Sequence, residues 1–147
     1  VTNLTLDTNI LFYAFDPRDL RKHLIAKRVV EHLFQREATI ALQCLSELYN
    51  AATRKSLAPA VIVRAFIVDL LDNLAVEPAT APDLIAAISL HVTTGYQYFD
   101  CVLLATTARM GVNTLLTEDM QHLRQIGSVT VVNPFILTVS ELDRVLA

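Results

Sequence analysis

Four acidic side chains recur at equivalent places along this chain. Asp7 ends the apolar stretch Leu4-Thr5-Leu6, and Glu47 follows residues 39–42. Asp100 follows the aromatic run Tyr96-Gln97-Tyr98-Phe99, and Asp119 follows residues 112–116. Each falls at, or one turn beyond, a predicted strand-to-helix junction or helix start. Taken singly, the aspartates read equally well as helix caps or partners of helix dipoles, and Glu47 as a solvated helix face. Taken together they pose a charge problem. Two carboxylates ~5 Å apart repel by roughly 3 kcal/mol at an effective dielectric near 20. Three or four in one pocket must either take up protons or bind a cation. No Lys or Arg lies within two residues of any of the four, so the neutralising charge has to come from elsewhere. An oxygen-only set of this kind suits a hard divalent ion, Mg²⁺ or Mn²⁺.

The elements that would have to gather these acids can be read from periodicity and punctuation. Strands are expected over residues 2–6, 39–42, 75–77, 112–116 and 129–132. Helices are expected over 10–15, 20–34 and 45–54, from Pro59 through Leu71, from Thr80 through His91, and over 100–110 with Gly111 just past the end. A short helical turn is expected over 118–124, and Ser140 with Asp143 resembles a capping box for a C-terminal helix. Strands alternating with helices, with no repeat or linker, predict one α/β domain. Its sheet should be mostly parallel, with helices on both faces. In such a fold ligands collect outside the carboxyl ends of the strands, where the four acids would meet.

Composition narrows the classes of function. The 147 residues are 53% hydrophobic and 18% charged, with a net charge of −3. A disordered chain is excluded, and so is a broadly basic nucleic-acid-binding face. Six of the twelve basic residues fall between Arg18 and Arg36. They form either a solvated helix face or a local grip on RNA or a protein partner. Cys44 and Cys101 sit apart in apolar contexts and read as buried thiols of a reducing compartment. The opening residues do not resemble a signal peptide, and residues 84–99 are too polar for a membrane span. A cytoplasmic protein is therefore expected. His23, His32, His91 and His122 lack the spacing of a zinc site. The only glycines are Gly95, Gly111 and Gly127, so no Gly-rich phosphate loop follows directly on the first strand, which argues against nucleotide or flavin binding. Asn9 stands where a haloacid-dehalogenase-like phosphatase would carry its second acid. No Lys follows Lys55, so a phosphoacceptor domain would lack its late lysine.

Leu6-Asp7-Thr8-Asn9, Ser46-Glu47-Leu48, Phe99-Asp100-Cys101-Val102-Leu103-Leu104-Ala105 and Leu115-Leu116-Thr117-Glu118-Asp119-Met120 resemble, in order and spacing, the motifs of the PIN-domain family. The VapC-type toxins of toxin–antitoxin modules are the nearest likeness. The resemblance covers about residues 3–135; one nuclease domain is expected over 1–135, with 136–147, which have no counterpart in the family, as a C-terminal tail, helical and part of the same domain. It implies a Rossmann-like α/β/α sandwich and a Mg²⁺- or Mn²⁺-dependent ribonuclease that forms homodimers and is silenced by an antitoxin. It implies that Asp7, Glu47, Asp100 and Asp119 are the catalytic, metal-binding acids, that Thr8, Asn9 and Thr117 support them, and that Glu118 is a candidate fifth carboxylate. Leu123 departs from the pattern, because close relatives often carry Gly there. The alternative is an idle PIN-like module that only binds RNA or protein. The apolar stripe Val61, Val63, Phe66, Ile67, Leu70 and Leu71 is expected to be mostly core, with part left for an antitoxin helix or a second protomer.

Overall fold

The computed structural model describes residues 3–147. Its central sheet is built from four strands in the order β1 (Leu4–Leu6), β4 (Thr114–Leu116), β6 (Val129–Val132) and β5 (Gln125–Ile126). The first three are mutually parallel, with Leu6 beside Leu116 and Leu116 beside Val132. β5 closes the edge antiparallel to β6. A second parallel pair, β2 (Thr39–Ala41) and β3 (Ala75–Glu77), lies alongside β1. The Thr5 hydroxyl donates to the Thr39 carbonyl across that junction at 2.8 Å. Every residue of β1 and β4 is buried, as strands covered by helices on both faces must be.

Among the described residues seven α-helices surround these strands: α1 (Thr8–Phe15), α2 (Leu20–Gln35), α3 (Leu42–Arg54), α4 (Ala60–Asn73), α5 (Ala81–Thr94), α6 (Tyr98–Arg109) and α7 (Val139–Val145). The expected mostly parallel α/β architecture is what the chain adopts. The core joins Leu6, Ile10 and Leu11 to Leu33, Leu48, Leu70, Leu104, Leu115 and Leu116. Leu142 of α7 and the following Leu146 are buried in it too, so the segment after residue 135 packs against the rest. Within the α4 stripe, Val63 and Leu70 are buried, whereas Val61 and Leu71 face outward. Among the described residues no helix is long and apolar enough to cross a membrane.

Several boundaries differ from expectation. The first strand begins at Leu4, and Thr2 lies outside the described residues. α1 begins at Thr8 because Asp7 caps it, taking the Thr8 N–H. α3 starts at Leu42, directly out of β2 and without a side-chain cap. α6 starts at Tyr98, where the Gln97 side chain accepts from the Asp100 N–H. Thr138 and Glu141, rather than Ser140 and Asp143, form the capping box of α7. The helical turn expected over 118–124 is absent. Leu123 sits at φ +66° and donates its N–H to Val131, which holds the segment beside β6 instead. The residue that departs from the family's Gly does adopt a backbone that favours Gly.

Candidate functional site

The backbone first brings two positions together. Asp7 N–H donates to Leu116 O at 2.9 Å, and Thr117 N–H donates to Val132 O at 3.0 Å. The carboxyl ends of β1, β4 and β6 therefore finish level, and Asp7 lies beside Thr117. The Thr117 hydroxyl is a junction for three partners. It donates to Asp7 Oδ2 at 2.8 Å and accepts from Asn9 Nδ2 at 3.0 Å and from the Asp119 N–H at 3.1 Å. Asn9 also donates to Asp119 Oδ2 at 3.0 Å. Asp7 and Asp119 are thus fixed relative to each other by one hydroxyl and one amide.

Glu47 enters from α3. Thr8 Oγ1 donates to its Oε2 at 2.8 Å, and Gln43 Nε2, one turn earlier on α3, donates to its Oε1 at 2.8 Å. Gln43 also donates to the carbonyl of Phe99 at 2.9 Å, which ties the start of α6 to α3 and brings Asp100 alongside. Thr8, Asn9, Glu47, Asp100, Glu118 and Asp119 line one cleft of about 690 Å³, with Asp7 buried behind it at 4% exposure. All eight residues singled out in the sequence belong to this one region.

Its electrostatics follow from burial and crowding. Burial drives the Asp7 carboxyl up to about 7, against the hydrogen bonds from Thr117 and Thr8, and the charges of Asp100 and Asp119 push it the same way. Asp100 rises to about 6, first by burial and then by the charges of Asp119 and Glu47. Groups raised in this manner favour protons or a cation over bare charge. Behind them, the Cys44 thiol is held well above its ordinary value by burial and then by Asp7. It is an inert core group, as expected.

The donor set fits a hydrated hard ion better than a closed cage. Among the described residues no three His, Cys, Asp or Glu side chains converge as a ready-made ligand group. Mg²⁺ keeps several waters and takes only one or two carboxylates directly, so an open arrangement suffices. Asp100 makes no side-chain hydrogen bond among the described residues, and Asp119 uses one oxygen. Both therefore retain lone pairs toward the cleft. Gln43 Oε1, beside Glu47, is buried without a donor, and a water of such an ion would supply one.

Two participants were not legible as site residues. Tyr13 donates its hydroxyl to Glu118 Oε1 at 2.7 Å, and Lys22 donates to Glu118 Oε2 at 2.7 Å. The Lys22 ammonium also lies 4.8 Å from the Tyr13 ring centroid and 5.4 Å from that of Phe135. Among the described residues Glu118 is therefore the one candidate acid held in an ion pair. Tyr13 carried a weak signal, standing one helical turn after Asn9 on α1. Lys22 was legible only as one of the six basic residues between Arg18 and Arg36, and its reach from α2 to Glu118 carried no signal. The rest of its basic segment is largely occupied within the chain: Arg18 pairs with Asp16, Arg28 with Asp143, and Arg21 donates to the Phe135 carbonyl. His122 Nδ1 accepts from the Asn133 N–H at 3.0 Å.

Two solved structures share this arrangement of elements. A toxin–antitoxin complex from Klebsiella pneumoniae aligns with a TM-score of 0.65 at 20% identity, covering 90% of this chain and 98% of that one. VapC20 of Mycobacterium tuberculosis, a sarcin-ricin loop cleaving toxin, aligns with a TM-score of 0.62 at 22% identity, covering 77% of this chain and 87% of that one. At these identities the likeness is one of fold. No curated protein matches significantly by sequence. The family model of the PIN domain matches residues 4–127, and this chain belongs to that family.

Proposed function

We propose that this protein is a Mg²⁺- or Mn²⁺-dependent endoribonuclease, the toxin of a toxin–antitoxin pair, acting in the cytoplasm. The observation that carries the reading is the proton-hungry pair Asp7 and Asp100, crowded by Asp119 and Glu47 at the carboxyl edge of the sheet. Asp100 and Asp119 would hold the ion directly, Asp7 from behind, and Glu47 directly or through water. A bound ion supplies an acidified water and neutralises the nonbridging oxygens of a phosphodiester.

The chain's own residues do the remaining work. Thr117 and Asn9 lock Asp7 and Asp119 in register, and Thr8 and Gln43 fix the rotamer of Glu47. The Lys22–Glu118 pair anchors the segment carrying Asp119. Asp7, unfavourable as a bare charge in this buried position, gains most from a neighbouring cation. On the rim, Phe99 is 56% exposed and offers an unpaired base a stacking surface, as RNA loops require.

The partners of the reading are RNA, a cognate antitoxin and a second copy of the chain. Uncovered apolar side chains on α4 and α5, including Val61, Ile62, Ile85 and Val92, support a protein partner. So does the relative solved within a toxin–antitoxin complex. The test is cleavage of structured RNAs by purified protein with Mg²⁺, Mn²⁺ or EDTA. Cleavage should require the ion and vanish in Asp7→Asn. Undiminished cleavage in EDTA or in Asp7→Asn overturns the proposal.

A further inference from the structure

The cleft has two walls of opposite sign. Glu47, Asn50, Ala51 and Arg54 all line it from α3, at spacings of three, four and seven residues that keep them on one helical face. Arg54 therefore stands about 10 Å along the helix axis from Glu47. Lys55 follows at the helix end and lines the same cleft. Its ammonium is held 4.6 Å from the centroid of the Phe12 ring, itself a cleft residue on α1. Among the described residues, neither Arg54 nor Lys55 takes part in any ion pair. Compensation of the helix dipole accounts for basic residues in a last turn. It does not account for both facing an acidic cleft, nor for an aromatic ring fixing one of them.

We infer that Arg54 and Lys55 form a phosphate subsite that grips the RNA backbone one or two nucleotides away from the bond being cut. This deepens the nuclease reading and rests on it. The acidic wall repels a polyanion except where an ion sits, so a strand lying along the cleft needs a cationic hold beyond that point. Arg54 offers a planar fork for phosphate oxygens and Lys55 a point charge. Stacking on Phe12 keeps the lysine over the cleft at little loss of charge.

The test measures binding apart from cleavage. A fluorescein-labelled single-stranded RNA of about ten nucleotides is titrated by anisotropy, over a range of salt, against wild type, Arg54→Gln/Lys55→Gln and Arg54→Lys. The double variant should raise Kd at least tenfold. It should also flatten the dependence of log Kd on log salt by about 1.4, the value for two lost phosphate contacts on a single strand. Arg54→Lys should retain most of the salt slope, which a merely structural residue would not govern. Both side chains are exposed, so the variants should unfold within a few degrees of wild type. An unchanged Kd and slope overturns the subsite, as does loss of binding to polyglutamate peptide with RNA binding intact, which would assign the pair to a protein partner. Failure of the nuclease reading looks different: RNA binding dependent on the pair persists, while no RNA is cut in any metal.

Discussion

Asp7→Asn separates the charge argument from the catalytic one, because it has a consequence for stability in metal-free protein. The carboxyl sits at about 7 in the fold against 3.8 as an ordinary aspartate. The folded chain thus holds a proton between those values that the unfolded chain has released. Its stabilising share is complete below the ordinary value and is lost as pH rises through the folded one. At about 1.4 kcal/mol per unit, the ionised group weakens the fold by roughly 4 kcal/mol at pH 8, of which roughly 2 are already lost at pH 5. Asparagine cannot ionise, but its amide can satisfy only one of the donors from Thr8 and Thr117, a penalty of about 1–2 kcal/mol at either pH. Asp7→Asn should therefore be near neutral at pH 5 and stabilising by roughly 2–3 kcal/mol at pH 8, a rise of about 5–10 °C in Tm. Urea unfolding in EDTA at the two pH values measures this directly. Added Mg²⁺ should then stabilise wild type at pH 8 and have much less effect on the variant. A stability difference that does not change with pH, or a variant weaker than wild type at pH 8, refutes the claim that burial and crowding govern this carboxyl.

Thr117→Val removes the hydroxyl that serves Asp7, Asn9 and Asp119. It should cost about 2–3 kcal/mol by urea unfolding and, in metal-free protein, move the loss of stability with rising pH to higher pH, because the lost bond held Asp7 down. Lys22→Met leaves Glu118 unpaired beside the site. Activity titrated against Mg²⁺ should reach half-maximum at a severalfold lower concentration, with stability reduced by about 1 kcal/mol. Leu123→Gly relieves a left-handed leucine and should raise the urea midpoint, by up to about 1 kcal/mol in stability after allowing for the looser unfolded chain.

What the sequence revealed and what it hid divide along a physical line. Asp7, Glu47 and Asp119 were legible because a parallel α/β chain brings strand ends to one edge, so local position along the chain predicts shared position in space; Asp100, which follows a helix, was legible only as an acid at a helix start. Asp7 also shows that a helix cap can belong to a cluster of acids, since one oxygen takes the Thr8 N–H while the other is held by Thr117. The two-residue strand β5 escaped because Gln125 and Ile126 carry no period to read, although Gly127-Ser128 marked the hairpin turn. The missing turn over 118–124 has a tertiary cause. Its residues can form a helix, but Leu123 and Arg124 instead exchange backbone hydrogen bonds with Val131. No cation lies within two residues of any of the four acids, yet Lys22 reaches Glu118 across 96 positions, and Arg54 and Lys55 close the cleft from the far end of α3. Coulomb energy depends on distance through space, and a helix crossing behind the sheet edge supplies charge that no local window contains. The proposed site, an ion against one wall and a polyanion against the other, needs both signs within one cleft, and only the fold, through α2 and the end of α3, provides the second.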